Sequence, residues 1–558
     1  MTRENSPARM GRVSRRGLMV AAATAGSVAG ASVTGLAITS RPDASPATDN
    51  SLSPADDYVD YVPKNDLVIN VKDYGVKGDG STDDTGAINA LLAQIGRQGL
   101  QRIFFPSGRY MHTGISVSQK SGFELLGPGE LVATASTVRE YVSVDGCADF
   151  RLIGLQSRHE DPTDRRITPA RTFSLTNCRE FEVAGCHAHH GEGVGIMLNH
   201  CSQATLHGNR VHDTKADGIG LYGDTHNVTV TGNITYETGD DGIAQVGIMS
   251  QGVRPHNNTI SANTVGRAHA RGIAVVGSYN TTITGNTVEA TRAGGIYVAS
   301  ESSQSTYGCS NVVVAGNVIA DANTYNPVID QAAIFVFGEA QPVEDVTVTN
   351  NRVIGARSEG IRVGGRSSST RRITLIGNGV TEARASGLEL WSVEDISVIG
   401  NVLTDLGAGG ISAGGELTGA VLITNNTVRN PNTSGSTFPA IGMKAGKRAS
   451  VVVSANTVVS ADPSTYGIDV PAHATIFGNV LGGGQVRGGT EGTTELYGNL
   501  SVSGAGAADA SGGKGVVAVR NATDVPTTNP VQGGVLYVED GALKYRGSAG
   551  TITMLGPP

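Results

Sequence analysis

The sequence has little charge, little proline and a single tryptophan. Only 16% of its 558 residues are Asp, Glu, Lys or Arg, against a typical share of about 25%. The 20 prolines are too few for collagen or a proline-rich stalk, and 39% hydrophobic residues are too many for a disordered chain. Glycine is abundant instead, at 77 residues, about twice its usual share of roughly 7%. This composition excludes a largely helical enzyme and predicts many turns and short strands.

The first 65 residues are expected to lie outside the folded domain. Five arginines, the last at Arg16, precede an uncharged, mildly hydrophobic run over residues 17–40. Residues 14–19 resemble a twin-arginine export signal, and residues 29–31 offer a cleavage site. Residues 32–65, rich in Ser, Ala, Pro and Asp, are typical of a linker. We therefore predict that residues 1–31 form a signal peptide and that the protein is secreted, without a stable membrane anchor.

The net charge limits the choice of partner. It is −8 for the whole chain, and cleavage after residue 31 would remove five arginines and Glu4, which changes it to about −12. Such a surface does not suit non-specific binding to nucleic acid or to an anionic membrane. An acidic polysaccharide would need local basic groups or a bridging cation.

The dominant pattern is an internal repeat. A short apolar segment ends in Gly-Asn or Asn-Asn, one residue follows, and then usually Val, Ile or Leu. Units of 20 to 34 residues with several short strands each are typical of a solenoid. We predict that the asparagines are structural and form amide ladders between stacked units. They are Asn209, Asn233, Asn263, Asn286, Asn317, Asn351, Asn378, Asn401, Asn426, Asn456, Asn479 and Asn499.

A second landmark fixes the register of the repeat. Glycine and then Ile or Leu recur nine and ten residues after the asparagine in seven units, beginning with Gly218-Ile219 and Gly242-Ile243. Each unit is therefore predicted to be one coil of a parallel β-helix, stacked at about 4.8 Å per coil. Glycines allow the tight corners between the strands of a coil.

The start of the repeat region is expected to cap the solenoid. A strand near residue 68 and a turn-rich loop precede an amphipathic helix predicted from Thr82 or Asp83. The apolar face of this helix is Ala87, Ile88, Leu91, Leu92 and Ile95. Together with Phe-Phe-Pro-Ser-Gly-Arg-Tyr at 104–110, this segment resembles the N-terminal part of the pectate-lyase-like and polygalacturonase-like superfamily. The resemblance covers roughly residues 68–500 and implies an all-β, right-handed parallel β-helix with an N-terminal cap, assigned here to residues 66–505.

The repeat fades after Asn499. A linker rich in Gly, Ala and Ser leads to alternating strands near Val535 and Leu543, so residues 506–558 are predicted to be a linker and a small β module. This module resembles those that end some phage-tail and tail-spike-like proteins. The resemblance leaves a binding or oligomer-forming role open.

Residues at equal offsets from the landmark asparagines stack on neighbouring coils. In this register, imidazole, carboxylate and guanidinium groups concentrate on a strip between His187 and Arg271. We therefore expect a substrate-binding surface here. Its residues are His189, His212, Lys215, Tyr236, Glu237, Arg267, His269 and Arg271.

Asp217 and Asp241 share one column of this strip, and Asp240 precedes Asp241. Stacked carboxylates have separated, coupled pKa values, which suit an acid and base pair for cleavage of a glycosidic bond. Hydrophilic corners without catalytic function are the alternative explanation. Residues 216–219 and 239–244 resemble the Asn-Thr-Asp-Gly and Gly-Asp-Asp-Cys-Ile-Ala motifs of polygalacturonase-type glycosidases. The resemblance implies that Asp240 is the general acid and that Asp217 and Asp241 activate water, with inversion and without a cofactor.

Two departures from those glycosidases argue against galacturonan as the substrate. Where they have Gly-His-Gly, this chain has Ala270-Arg271-Gly272, with His269 two residues before Arg271. Their Arg-x-Lys pair is absent from residues 295–299. The sequence therefore predicts a glycoside hydrolase without specifying the sugar.

Two other functions remain open. Resemblance to pectate lyases would imply Ca²⁺ held by Asp213, Asp217, Asp240 and Asp241, with Arg271 or Lys215 as the base. A non-catalytic glycan binder, like a tail spike or an adhesin, is the third hypothesis and is favoured by the C-terminal module. The partner in all three cases is a polysaccharide or oligosaccharide.

Three further features have mainly structural explanations. Cys147, Cys178 and Cys201 share a register, which predicts a buried thiol stack, with a Cys178–Cys201 disulfide as the alternative. His187, His189 and His190 lack a fixed metal-ligand pattern. Trp391 is either a sugar platform or an ordinary edge residue.

Overall fold

The computed structural model describes residues 68–96, 101–135, 139–366, 370–443, 445–459, 467–470, 474–482, 486–488, 495–497, 500–501, 522, 525–531 and 533–558. The predicted signal peptide and the first linker lie outside these residues, as does most of the second linker. The domain boundaries derived from the sequence therefore stay predictions. Within the described ranges, no helix is long and apolar enough to cross a membrane.

Three parallel sheets, named A, B and C in the order in which each coil visits them, build the solenoid. Counted over the described residues, they contain 17, 17 and 15 strands. Each strand pairs with its counterpart one coil later, as Ile196 does with Ile219 and Ile219 with Ile243. The predicted parallel β-helix is confirmed.

The strands of sheet A are Val68–Asn70, Arg102–Phe104, Ser121–Leu126, Ala148–Ile153, Arg179–Ala184, Ser202–His207, His226–Thr231, His256–Ser261, Tyr279–Thr284, Cys309–Ala315, Val343–Thr349, Thr370–Ile376, Val393–Ile399, Leu417–Thr424, Ala445–Ser454, Ala474–Phe477 and Glu495–Tyr497.

The strands of sheet B are Asp79–Asp83, Arg109–His112, Glu130–Ala133, Gln156–His159, His187–His189, Arg210–His212, Ile234–Tyr236, Thr264–Gly266, Thr287–Glu289, Val318–Ala320, Arg352–Ile354, Gly379–Thr381, Val402–Thr404, Thr427–Arg429, Thr457–Val459, Val480–Gly482 and Leu500–Ser501.

The strands of sheet C are Ile115–Ser118, Glu140–Asp145, Arg171–Thr176, Val194–Asn199, Ile219–Tyr222, Ile243–Val246, Ile273–Val276, Ile296–Ser300, Ile334–Gly338, Ile361–Gly365, Leu388–Trp391, Ile411–Ala413, Ile441–Gly442, Ile468–Val470 and Val486–Gly488.

The N-terminal helix is shorter than the sequence predicts. It spans Thr85–Leu92 and begins later than Thr82 or Asp83, because Asp79–Asp83 forms a strand that pairs with Arg109–His112. Its buried residues include Ile88, Leu91 and Leu92, as the predicted apolar face requires. Short 3-10 helices span Val71–Tyr74, Met249–Gln251 and Ser302–Gln304.

The C-terminal residues form a separate antiparallel sheet. Its three strands are Gly534–Glu539, Ala542–Gly547 and Ile552–Gly556. This agrees with the strands expected near Val535 and Leu543.

The predicted asparagine ladder runs through the solenoid interior. From Asn209 to Asn479, the side-chain Nδ2 of each asparagine donates to Oδ1 of the next, over 2.8–3.0 Å. The eleven side chains of this ladder are buried. Asn499 lies outside the described residues.

The cysteines lie in the solenoid interior. All five are free and buried, so the alternative disulfide is not formed. The Cys178 thiol contacts the thiols of Cys147 and Cys201, which confirms the predicted stack.

Candidate active site

Three carboxylates meet at the corner between sheets B and C. Asp217 follows the strand Arg210–His212, and Asp240 and Asp241 follow Ile234–Tyr236 one coil later. One oxygen of each lies within 4.8 Å of the other two. The three residues are only 2%, 4% and 6% exposed. The structure therefore brings together the three aspartates that the sequence predicts to be catalytic.

A glycine after each stacked position lets the coils approach closely enough to build this column. Gly218 donates its N–H to the carbonyl of Asp241 at 3.0 Å, and Gly242 donates to the carbonyl of Arg271 at 3.0 Å. A Cβ atom at Gly218 would lie 2.5 Å from the carbonyl oxygen of Gly242. Asp217, Asp241 and Arg271 therefore follow one another along the corner in register.

Asp217 is the most enclosed of the three aspartates. Its Oδ2 accepts a hydrogen bond from the Tyr222 hydroxyl at 2.9 Å, and its Oδ1 accepts from the Asp241 backbone N–H at 3.2 Å. Burial, and then the neighbouring charge of Asp240, raise the pKa of Asp217 well above its ordinary value. Burial likewise raises the pKa of Tyr222, so its hydroxyl keeps the proton that it donates.

Arg166 reaches the corner from outside the repeat register. Its Nη1 lies 2.5 Å from Oδ2 of Asp240. The segment that carries it is held by Glu192, whose Oε1 accepts from the Thr163 N–H at 2.9 Å and whose carbonyl accepts from the Ile167 N–H at 2.8 Å. Burial raises the pKa of Asp240, and the charge of Arg166 opposes that rise.

Arg271 closes the other side of the corner. Its Nη1 lies 3.7 Å from Oδ2 of Asp241, its Nη2 lies 2.6 Å from Oε1 of Glu301, and its guanidinium stacks 4.5 Å from the Tyr297 ring centroid. Its backbone N–H donates to Oδ1 of Asp241 at 2.8 Å. Burial raises the pKa of Asp241 to about 7, although Arg271 opposes the rise.

The outer face of sheet C carries a row of small and aromatic residues near the corner. Gly220, Ala244, Ala274, Tyr297 and Phe335 follow one another in register across five coils. Ala244, Ala274, Tyr297 and Phe335 are buried, and the Tyr297 ring stacks on Arg271. The burial of the aspartates themselves is the largest cause of their raised pKa values.

The remaining predicted binding residues lie on sheet B and at the exposed side of the corner. His189, His212 and Tyr236 stack on the outer face of sheet B, with ring centroids 5.4 and 4.5 Å apart. Arg267 and Glu237 form an exposed ion pair of 2.9 Å.

Three further predicted residues lie apart from the buried aspartates. Lys215 Nζ lies 3.9 Å from Oδ1 of Asp164, and His269 is exposed. Asp213, which the lyase hypothesis places among the calcium ligands, contacts Nδ1 of His212 at 2.6 Å and is not one of the three grouped carboxylates.

Sequence reasoning missed Arg166, Tyr222, Tyr297 and Glu301. Arg166 lies 74 residues before its partner in a segment between strands, so no repeat offset points to it. Tyr222, five residues after Asp217, could have been found because it ends the sheet C strand Ile219–Tyr222, which begins just after Asp217.

A parallel β-helix with buried acidic groups at one corner defines the structural class of the protein. The model of the family described as rhamnogalacturonase A/epimerase, pectate lyase-like, matches residues 68–297. The model of the right-handed β-helix region matches residues 244–378. The resemblance to the pectate-lyase-like right-handed β-helix superfamily is thereby confirmed.

The following relatives and solved structures share only low sequence identity with this chain. Alginate lyase 7 of Azotobacter vinelandii is 26% identical over 195 residues, which are 34% of this chain and 22% of that protein. The exopolygalacturonase of Yersinia enterocolitica has a TM-score of 0.50 at 16% identity, over 63% of this chain and 78% of that one. The α-1,3-glucanase catalytic unit of Streptomyces thermodiastaticus has a TM-score of 0.46 at 20% identity, over 68% of each chain. The chain spans about a quarter of the length of the curated relatives it matches first, and the solved structures are similar in fold.

Proposed function

We propose that the protein is a carbohydrate-active enzyme that hydrolyses glycosidic bonds in a polysaccharide. The observation that carries this proposal is the group of buried carboxylates of Asp217, Asp240 and Asp241, within 4.8 Å of one another and with raised pKa values. Glycoside hydrolysis needs one carboxylic acid that protonates the leaving oxygen and one carboxylate that activates water or attacks the sugar. Neighbouring buried carboxyl groups lose their protons at separate pKa values, so that an acid and a carboxylate coexist in one group.

The roles follow from the resemblance and the contacts together. Asp240 is the proposed general acid. After it gives up its proton, its carboxylate is stabilised by Arg166 at 2.5 Å. Asp217 and Asp241 are the proposed bases that hold and activate the water.

The stereochemical course is open to a direct test. The resemblance implies inversion, whereas carboxyl separations of about 5–5.5 Å are typical of retaining enzymes and about 6.5–9.5 Å of inverting ones. The grouped oxygens lie within 4.8 Å. Proton NMR of the first anomer released distinguishes the two courses. Inversion means that a carboxylate of this group activates water, and retention means that it attacks the sugar.

A calcium-assisted lyase is the second candidate, favoured by the matching alginate lyase. The three aspartates offer oxygen ligands, but Arg166 and Arg271 lie 2.5 and 3.7 Å from two of them and repel a divalent cation. Burial lowers the pKa of Arg271, but Glu301 and Asp241 outweigh burial and raise it above its ordinary value, which makes Arg271 a poor base. These contacts favour hydrolysis over elimination.

The test compares the wild type, Asp240→Asn and the matched control Asp73→Asn on neutral and uronic polysaccharides. Asp73 is exposed in the N-terminal 3-10 helix, away from the corner. We expect the wild type and Asp73→Asn to release reducing ends without the ultraviolet absorbance of unsaturated sugars, and Asp240→Asn to lose this activity at least 100-fold. Absorbance that disappears with a chelator would favour the lyase instead. Glycan binding without any product would favour the non-catalytic binder.

We also propose that residues 1–31 direct secretion through the twin-arginine route, since five arginines precede an uncharged run. Mass spectrometry of protein from the culture medium should give an N-terminus after Ala31. Replacing Arg15 and Arg16 together by lysine should retain the protein inside the cell, and unchanged export would contradict the proposal.

We propose, finally, that the C-terminal sheet joins copies of the chain. Its last strand exposes Ile552, Met554 and Leu555 at 49%, 57% and 57%. Large exposed apolar side chains grouped on one strand favour association. Light scattering should give an oligomer for the full chain and a monomer for a double Met554→Ser, Leu555→Ser variant.

A further inference from the structure

We propose that His187, His189 and His212 form a binding site for one divalent transition-metal ion, with Zn²⁺ as the expected occupant. The site is separate from the buried aspartates, and the proposal does not rest on glycan cleavage.

The strand geometry places the three rings on one surface. His187 and His189 alternate with the buried Ala188 on one strand, so both project from the outer face of sheet B. His212 lies on the next coil, directly opposite His189. The imidazoles are therefore presented by two hydrogen-bonded strands rather than by a loop, which fixes their spacing.

The ring nitrogens already converge. Nε2 of His187 lies 2.7 Å from Nε2 of His212, and one ring nitrogen of each histidine lies within 4.8 Å of the other two. The ring centroids of His187 and His189 are 4.2 Å apart. Two ligands of a tetrahedral zinc with bonds of about 2.0–2.1 Å lie about 3.3 Å apart. Small rotations about the side-chain bonds therefore reach coordination geometry.

The hydrogen bonds around the rings orient them as metal ligands. Oδ2 of Asp213 lies 2.6 Å from Nδ1 of His212, a contact that holds the proton on Nδ1 and directs Nε2 toward His187. A carboxylate on the far nitrogen of a metal-binding histidine is a common supporting contact. Nε2 of His189 is buried and has no hydrogen-bond partner among the described residues. A metal ion would satisfy this nitrogen.

The neighbouring cations are already engaged elsewhere. Arg158 pairs with Glu130 at 3.0 Å, and Oε1 of the same glutamate lies 3.8 Å from Nε2 of His189. Arg210 stacks 5.3 Å from the centroid of the Tyr236 ring and contacts the Tyr236 hydroxyl. Imidazole ligands suit Zn²⁺, Cu²⁺ or Ni²⁺ rather than Ca²⁺ or Mg²⁺, and three ligands leave a fourth position for water.

A second histidine pair provides the control. His226 and His256 stack face to face, with centroids 4.8 Å apart and planes 9° apart. Their Nδ1 atoms lie 2.8 and 3.3 Å from the backbone carbonyls of Asp224 and Arg254. Asp224 Oδ1 also lies 3.8 and 3.7 Å from the two Nδ1 atoms, so Asp224, His226 and His256 form a second group of possible ligands. This group offers two imidazoles rather than three, and backbone carbonyls already engage both Nδ1 atoms, so it is expected to bind Zn²⁺ more weakly than the proposed site.

The experiment titrates chelator-treated full-length protein with Zn²⁺ against a chromophoric competitor. We expect one ion per chain, with at least 100-fold weaker binding in His187→Ala and in His212→Ala and 10- to 100-fold weaker binding in Asp213→Asn. His256→Ala should bind as the wild type does. Absence of stoichiometric binding to the wild type, or equal loss in His256→Ala, would overturn the proposal.

A second measurement uses the wild-type protein alone, so it does not depend on the folding of any variant. In nitrogen-correlated NMR spectra of the wild type, Zn²⁺ should shift the imidazole signals of three histidines and leave those of His226 and His256 in place. Shifts confined to His226 and His256, or shifts of no histidine, would contradict the site.

Discussion

Replacing Asn317 by alanine should show how much the buried asparagine ladder stabilises the solenoid. Nδ2 of Asn317 donates to Oδ1 of Asn351 at 2.9 Å and to the carbonyl of Ile283 at 3.0 Å. Its Oδ1 accepts from the backbone N–H and from Nδ2 of Asn286, both at 2.9 Å. Alanine removes four hydrogen bonds and leaves the Asn286 N–H buried without its acceptor. At about 1 kcal/mol for each bond, the free energy of unfolding should fall by about 4 kcal/mol.

An exposed asparagine on a neighbouring strand provides the matched control. Asn311 makes a ladder contact of the same kind, donating to Oδ1 of Asn280 at 2.9 Å, but this contact is exposed. Its φ of 53° suits glycine, so Asn311→Gly removes the side chain without backbone strain. We expect this variant to lose less than about 1 kcal/mol.

Urea unfolding followed by circular dichroism measures both variants. Hydrogen exchange then locates the loss, which should concentrate in the strands Tyr279–Thr284 and Cys309–Ala315. An Asn317→Ala protein as stable as Asn311→Gly would refute the reasoning, because the buried amides would then contribute no more than exposed ones.

Three further predictions concern the corner and the thiols. Because burial raises the pKa of Asp241 from 3.8 to about 7, the folded state holds an extra proton over that range. The free energy of unfolding should therefore decrease as pH rises from about 4 to about 7, by on the order of 4 kcal/mol, and Asp241→Asn should flatten this dependence in urea titrations. Arg166→Met, which leaves Asp240 buried without its 2.5 Å partner, should lose about 3–5 kcal/mol of stability, with Arg166→Lys recovering part of it; an unchanged unfolding midpoint would contradict the pairing. The five buried free thiols should react with a thiol reagent only after denaturation, and a reductant should leave the Tm unchanged.

The candidate site was predictable only where it follows the repeat. Asp217 and Asp241 could be placed in one column because their offsets from Asn209 and Asn233 are equal. Arg166 could not be placed, because it belongs to a segment between strands whose length has no counterpart in the next coil. The start of the helix was predicted too early for a related reason. Asp79–Asp83 pairs with a strand that is distant in sequence, and local helix signals do not include that pairing.

The histidines illustrate the same limit. The sequence places His187, His189 and His190 together, and none of the usual metal-ligand spacings links them. In the structure, His190 is exposed and its Nδ1 lies 2.9 Å from Nδ1 of His189, while His212 from the next coil joins His187 and His189. The contact between coils, not the adjacency in sequence, makes the cluster.

By itself, the sequence determined the solenoid, its register and the column of aspartates, because each coil repeats the same local choice of strand and corner at the same offsets from its asparagine. The tertiary structure alone decided which charges surround those aspartates and how deeply they are buried. Arg166 and Glu301 reach the corner from segments outside the regular strands, and the pKa of a carboxylate depends on solvent exclusion and on charges a few ångströms away. Burial and the distances between charges depend on the three-dimensional path of the chain, which the repeat period of the sequence does not specify.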